Sequence, residues 1–129
     1  MLIVAVSNGI VIFAHGSSIA SANEAVKMVA AAAAAAGPFD RVETAFLEAK
    51  PDLAEAVARL AESRVRKILV VPYFLTLGIH LQRDLPAIVA QLAETYPNVE
   101  IRVTPPLDGH PALQQALLDR ARAALAVWK

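Results

Sequence analysis

Three residues that can bind a metal ion or move a proton each follow a short apolar run. They are His15, Glu48 and His80, spaced 33 and 32 residues apart. An imidazole offers a nitrogen lone pair to a borderline divalent ion and exchanges a proton near neutral pH. A carboxylate beside it can share the ion or accept the proton. Each residue also has a plainer role. His15 can cap a loop, Glu48 can be a solvated carboxylate, and His80 can be a first-turn helix residue with no task. The equal spacing favours convergence, because each interval is about one strand–helix unit. Two imidazoles and one carboxylate on one sheet edge would then make a site for a divalent metal.

Other polar residues cluster around these three. Asp84 lies one helical turn after His80, where a carboxylate can hold a ligand imidazole in one tautomer. It can equally be an ordinary acid near a helix start, favoured by the macrodipole. The third and last histidine, His110, stands in PPLDGHP before the final helix. It can line the pocket or simply help start that helix. Gly16, Ser17 and Ser18 suit a carboxylate or phosphate at a helix start, or plain capping by serine. The stretch lacks G-x-G-x-x-G and G-x-x-x-x-G-K-[ST], so it is no nucleotide loop. Ser17 is not in a G-x-S-x-G elbow, which speaks against a serine hydrolase.

The elements that position these residues are read from four apolar runs alternating with four longer segments. Strands are expected at Ile10 to Ala14, Val42 to Leu47, Ile68 to Pro72 and Val99 to Val103. Helices are expected at Ile19 to Ala36, Pro51 to Glu62, His80 to Thr95 and Pro111 to Val127. The first is rich in alanine, a strong helix former, and Gly37-Pro38 stops it. Pro51 stands at a helix first-turn position. In the last helix Leu113, Leu117, Leu118, Ala121 and Leu125 form an apolar stripe. The repeated strand–helix pattern implies an α/β domain with a four-stranded parallel sheet and helices on both faces. Ligands in such sheets bind beyond the strand carboxyl ends, at a switch point in strand order. Leu2 to Val6 is also strand-like, and Asn8-Gly9 is a hairpin signal. One domain over 1–129 is expected, with its core at about 10–127.

Composition narrows the function further. No cysteine occurs among the 129 residues, which excludes a disulfide scaffold, a thiolate metal site and a cysteine nucleophile. Twelve basic and twelve acidic residues cancel. No basic stripe suggests nucleic acid. The apolar fraction is 57% and the mean hydropathy +0.49. The alanine run Ala30 to Ala36 is far short of the roughly 20 residues a membrane span needs. The N-terminal stretch lacks a basic region and a cleavage site, so it reads as strand and not as a signal peptide. A cytoplasmic protein is expected. The apolar excess fits a two-sided buried sheet plus a self-association face.

Four stretches together resemble one family. They are FAHGSS, FLEAKPDL, VVPYFLTLGIHLQRDLP and PPLDGHPAL, one after each strand. They resemble the short-form CbiX/SirB chelatases over about residues 10 to 120. The most specific pattern is G-x-H-x-x-x-D-[LI]-P, here Gly78, His80, Asp84, Leu85 and Pro86. The resemblance implies a chelatase-like, flavodoxin-like layering. It implies ATP-independent insertion of Co²⁺ or Fe²⁺, cobalt favoured and Ni²⁺ possible, into sirohydrochlorin, in cobalamin or sirohaem synthesis. The metal is then a substrate, with no permanently bound cofactor, and two copies pair as a homodimer. The family's metal-handling positions fall on His15, Glu48 and His80, with Asp84 behind His80. Tyr73, Phe74, Leu75 and Leu77 are a candidate apolar wall for the macrocycle, and Ser17, Ser18, Arg83 and His110 candidate anchors. After H-G-S many members carry Arg and an acidic or Pro residue, whereas this chain reads Ser18-Ile19-Ala20. A non-catalytic carrier or sensor of metal or tetrapyrrole is the alternative. A metal-dependent hydrolase ranks below both, for want of oxyanion donors and a second base.

Overall fold

The computed structural model describes residues 7–129. Along them run β1 (Asn8–Ala14), α1 (Ala20–Ala36), β2 (Arg41–Phe46), α2 (Leu53–Glu62), β3 (Lys67–Pro72), α3 (Ile79–Thr95), β4 (Glu100–Val103) and α4 (Pro111–Val127). The strands form one sheet in the order β2-β1-β3-β4, and every pairing is parallel. This is the α/β class that the alternating pattern implies.

The central strand explains the sheet. β1 is buried continuously from Gly9 to Ala14, without polar alternation. A parallel strand covered on both faces needs just such a run. Its odd positions Val11 and Phe13 enter the larger core, shared with α2 and α3. Its even positions Ile10 and Ile12 meet Ala30 of α1 on the other face. Within α2, Leu53, Ala56, Val57 and Leu60 are all buried, a three-and-four spacing that puts them on one face.

Some local details differ from expectation. Pro51 is not in the first turn of α2. The helix starts at Leu53, and Asp52 caps it by accepting the Glu55 N–H at 2.9 Å. That hydrogen bond, with help from Lys50, holds the Asp52 carboxyl below its ordinary value of 3.8. Asn8 and Gly9 belong to β1 and form no hairpin turn; pairing with β2 and β3 uses their backbone instead. Leu2 to Val6, which by sequence could be an extra edge strand or a disordered leader, lies outside the described residues. Among the described residues no helix is long and apolar enough to cross a membrane.

The last helix stands apart from the other three. α4 has 17 residues and none of them is buried. Neither core includes any residue of it.

Candidate functional site

Strand order decides where a site can form. From β1 the chain moves outward to β2, then returns through α2 to β3 on the other side. The carboxyl ends of β1 and β3 therefore flank a switch point. The loops leaving them go to opposite faces, since α1 packs in one core and α3 in the other.

His15 is the first residue past β1, and Glu48 lies two past β2. The hydrogen-bond ladder continues beyond both strands to bring them together. Leu47 N–H donates to the Ala14 carbonyl at 2.9 Å, and Glu48 N–H to the His15 carbonyl at 2.8 Å. Gly16 permits this approach. Its φ is +85°, and a Cβ there would lie 2.9 Å from Phe46 Cβ and 3.1 Å from Ala49 Cβ. The side chains then meet in the open, with His15 Nδ1 3.7 Å from Glu48 Oε2. His15 Nδ1 is also 3.0 Å from the Gly16 carbonyl oxygen. A carbonyl only accepts, so Nδ1 carries the proton and Nε2 keeps its lone pair.

His80 occupies the first turn of α3 and is exposed. Here the tautomer is reversed. Its Nδ1 lies 3.3 Å from an Arg83 guanidinium nitrogen, which can only donate. Asp84, expected to orient His80, accepts instead from Arg83 Nε at 3.1 Å. A cation one residue away is a stronger partner for a carboxylate than a neutral imidazole. Among the described residues no three of His, Asp and Glu gather closely enough to hold an ion. The structure thus brings His15 and Glu48 together and leaves His80 apart. The loop 73–78 and the turn of α3 carry His80 away from that pair.

Gly78, the helix cap before His80, has φ −67°, which any residue adopts. A Cβ there would touch nothing within 4 Å. The fold does not require glycine at this point, and the surface beside His80 is open.

The weaker candidates divide. Serine does not cap α1; its cap residue is Ile19, with no side-chain hydrogen bond. Ser17 Oγ accepts from Ile19 N–H at 3.0 Å. The Asn23 amide engages the Ser17 N–H at 2.9 Å and the Ser17 carbonyl at 2.8 Å. The Ser17 backbone is therefore occupied, and only Ser18 remains exposed. Sequence reasoning missed Asn23, whose signal was a polar, poor helix former in an alanine-rich helix. His110 takes its plainer role, its Nδ1 accepting the Ala112 N–H at 3.0 Å to cap α4.

The expected apolar wall is split as well. Phe74 and Leu77 pack against the larger core, and the Phe74 ring lies 6.0 Å from that of Phe13. Tyr73 and Leu75 are exposed. Leu75 borders a cleft of about 560 Å³ shared with Leu113, Leu117 and Arg120 of α4. Arg120 was not foreseen, although the leucine stripe beside it was.

The chain is similar to known proteins in sequence and in fold. The family model CbiX matches residues 9–124. A sirohydrochlorin cobaltochelatase of Methanopyrus kandleri is 32% identical, over 90% of this chain and 96% of its own. Among solved structures, one described as a cobalamin (vitamin B12) biosynthesis CbiX protein of Marinobacter aquaeolei VT8 superposes with a TM-score of 0.80. It is 32% identical, covering 92% of this chain and 98% of its own. The sirohydrochlorin chelatase SirB of Bacillus subtilis subspecies spizizenii, solved with cobalt, shares the fold with a TM-score of 0.83 at 23% identity. The match covers 91% of this chain and only 50% of that one.

Proposed function

Because this chain belongs to the CbiX family, we propose that it inserts a divalent metal ion into sirohydrochlorin without ATP. Co²⁺ is the favoured ion, serving cobalamin synthesis, and Fe²⁺ the next, serving sirohaem. The observation that carries the reading is the His15–Glu48 pair, 3.7 Å apart at the switch point of the sheet. The ion is substrate and no cofactor stays bound. The enzyme works in the cytoplasm as a single-domain protomer paired with a second copy.

Insertion must deliver an ion to four ring nitrogens and remove two pyrrole protons. His15 suits the first task, since its Nε2 lone pair is free and its Nδ1 is tied to the Gly16 carbonyl. Glu48 stands beside it as second ligand or proton acceptor. Nitrogen and oxygen donors without thiolate hold Co²⁺ or Fe²⁺ loosely enough for transfer. His80 acts from the other side of the switch point. In the unliganded protein its Nδ1 is engaged by Arg83. A macrocycle carboxylate that draws Arg83 away frees that nitrogen to accept a proton. Arg83 is then both anchor and release, and Asp84 acts on His80 only through Arg83. Exposed Tyr73 and Leu75 offer the ring apolar surface, and Ser18 is a minor anchor.

The test is anaerobic absorbance of sirohydrochlorin with purified protein and Co²⁺, Fe²⁺ or Ni²⁺ in turn. His15→Ala and His80→Ala are each expected to lower the insertion rate at least tenfold with the fold intact. Full rates in both variants would sink the mechanism. The alternative is a non-catalytic carrier or sensor of metal or tetrapyrrole. A shifted, stable bound spectrum with no rate above the spontaneous one would favour it.

A further inference from the structure

His15 differs from the other two histidines in where its proton sits. His80 and His110 each use Nδ1 as an acceptor, the first towards Arg83 and the second from the Ala112 N–H. In their neutral rings the proton is therefore on Nε2. His15 alone sets Nδ1 against a carbonyl, that of Gly16 at 3.0 Å, and carries the proton there. A free imidazole favours the opposite form, and the partner of one ring nitrogen decides what the other can do. A metal-binding His15 needs a bare Nε2, so something must hold the Gly16 carbonyl in place.

Gly16 itself does not. Its φ is +85°, and without a Cβ it tolerates many backbone states. The ladder between the first two strands ends one peptide too early, at the Glu48 N–H and the His15 carbonyl. The next peptide, from Gly16 to Ser17, is a planar unit. Its oxygen is the Gly16 carbonyl and its N–H is that of Ser17, pointing the opposite way. Asn23 grips that N–H. Asn23 Oδ1 accepts it at 2.9 Å, and Asn23 Nδ2 donates to the Ser17 carbonyl at 2.8 Å. The second bond fixes the orientation of the amide, because a flipped amide would set donor against donor and oxygen against oxygen. The Ser17 hydroxyl cannot stand in, since it already accepts the Ile19 N–H at 3.0 Å.

We propose that Asn23 is a positioning residue for His15: by holding the Gly16–Ser17 peptide, it keeps the proton on Nδ1 and leaves Nε2 free for the metal ion. This rests on the metal-handling role proposed for His15 and names the group that sets it. Asn23 is the fourth residue of α1 and is half-buried, so the helix carries the grip. The contact also strengthens the carbonyl, because a peptide whose N–H is engaged is a better acceptor at its oxygen. Glu48 benefits as well. Its Oε2 lies 3.7 Å from Nδ1, beyond hydrogen-bond distance. While the Gly16 carbonyl takes the Nδ1 proton, the carboxylate stays available to the ion. The plainer role for Asn23 is a staple at the entrance of α1. That role predicts a change in stability and none in the imidazole.

The test is the long-range proton–nitrogen NMR spectrum of the histidine rings in metal-free protein, at about pH 9, where ordinary imidazoles are neutral. His15→Ala, His80→Ala and His110→Ala assign the three rings, and His80 and His110 are internal standards of the Nε2–H form. Glu48→Ala is the background, so that no carboxylate can take over the Nδ1 proton. There His15 is expected to show the Nδ1–H pattern. Adding Asn23→Leu keeps the size of the side chain and favours the helix. It is expected to convert most of His15 to Nε2–H, with the other two rings and the far-ultraviolet circular dichroism unchanged. Asn23→Ala repeats the measurement with a smaller side chain. An Nδ1–H pattern that survives both substitutions would overturn the proposal. So would a Glu48→Ala protein already in the Nε2–H form, since the Gly16 carbonyl would then hold nothing. With Glu48 restored, Asn23→Leu is expected to lower kcat for metal insertion about tenfold, with KM for sirohydrochlorin unchanged. A full kcat beside a converted ring would overturn the link to the reaction. The spectrum needs no turnover, so a wild type that inserts no metal would strike the chelatase reading and leave the tautomer result standing.

Discussion

α2 and α4 are both amphipathic by sequence, yet the fold treats them differently. α2 has ten residues and buries four of them against the sheet. α4 has 17 and buries none. A helix gains most of its stability in a protein from the face it packs. α2 is therefore part of the cooperative unit, and α4 in a single copy has no buried face to hold it. The pattern of leucines states that a face exists to be covered. It does not state which surface covers it.

This contrast can be pressed hardest at Leu60, which is fully buried beneath β1. Leu60→Ala is expected to lose about 3 kcal/mol in urea unfolding, from lost transfer energy and the cavity left behind. Leu60 also lies 3.2 Å from the place a Gly9 Cβ would take, so the gap opens directly under the central strand.

Removing the cap tests the same helix more gently. Asp52→Ala is expected to cost about 1 kcal/mol at neutral pH. The carboxyl titrates below its ordinary 3.8 in the folded protein, because the ionised form accepts the Glu55 N–H. Its contribution is thus complete above about pH 4 and is lost as pH falls through the depressed value. Wild type and variant should converge in stability towards pH 2. A gap unchanged at low pH would remove the charge from the explanation.

The smallest effect is expected at the matching cap of α4. His110→Ala removes the acceptor of the Ala112 N–H. In dilute protein it should shift the unfolding midpoint by less than about 0.5 kcal/mol, and amide exchange should speed up only in the first turn of α4. A large midpoint shift would mean that α4 is packed after all, within one chain or between two.

How far the molecule was legible in its sequence depends on range. The strands were legible because runs such as IVIFA and ILVVP fill positions buried on both faces, and their chemistry admits few other states. The His15–Glu48 pair was legible for a related reason: each lies within two residues of its strand's end, and neighbouring strands are in register. His80 was not, because seven residues separate it from β3, and a loop of that length hides direction. The partner of Asp84 was misread for want of comparing two neighbours, since Arg83 competes for it at shorter chain distance. The Ser17 turn depends on Asn23, six residues away, which no capping rule addresses.

The ladder that runs on past β1 and β2 has one more consequence. The backbones at positions 15 and 48 are joined by main-chain hydrogen bonds beside a left-handed Gly16, so their spacing does not rest on the two side chains alone. The pair works like the jaws of a caliper whose tips can be changed without resetting the opening. Under the proposed function, exchanging the tips would alter which ion is gripped and leave the framework alone. Metal preference, if it resides in this pair as proposed, would be open to evolutionary drift at two surface positions, independent of the selection that maintains the core.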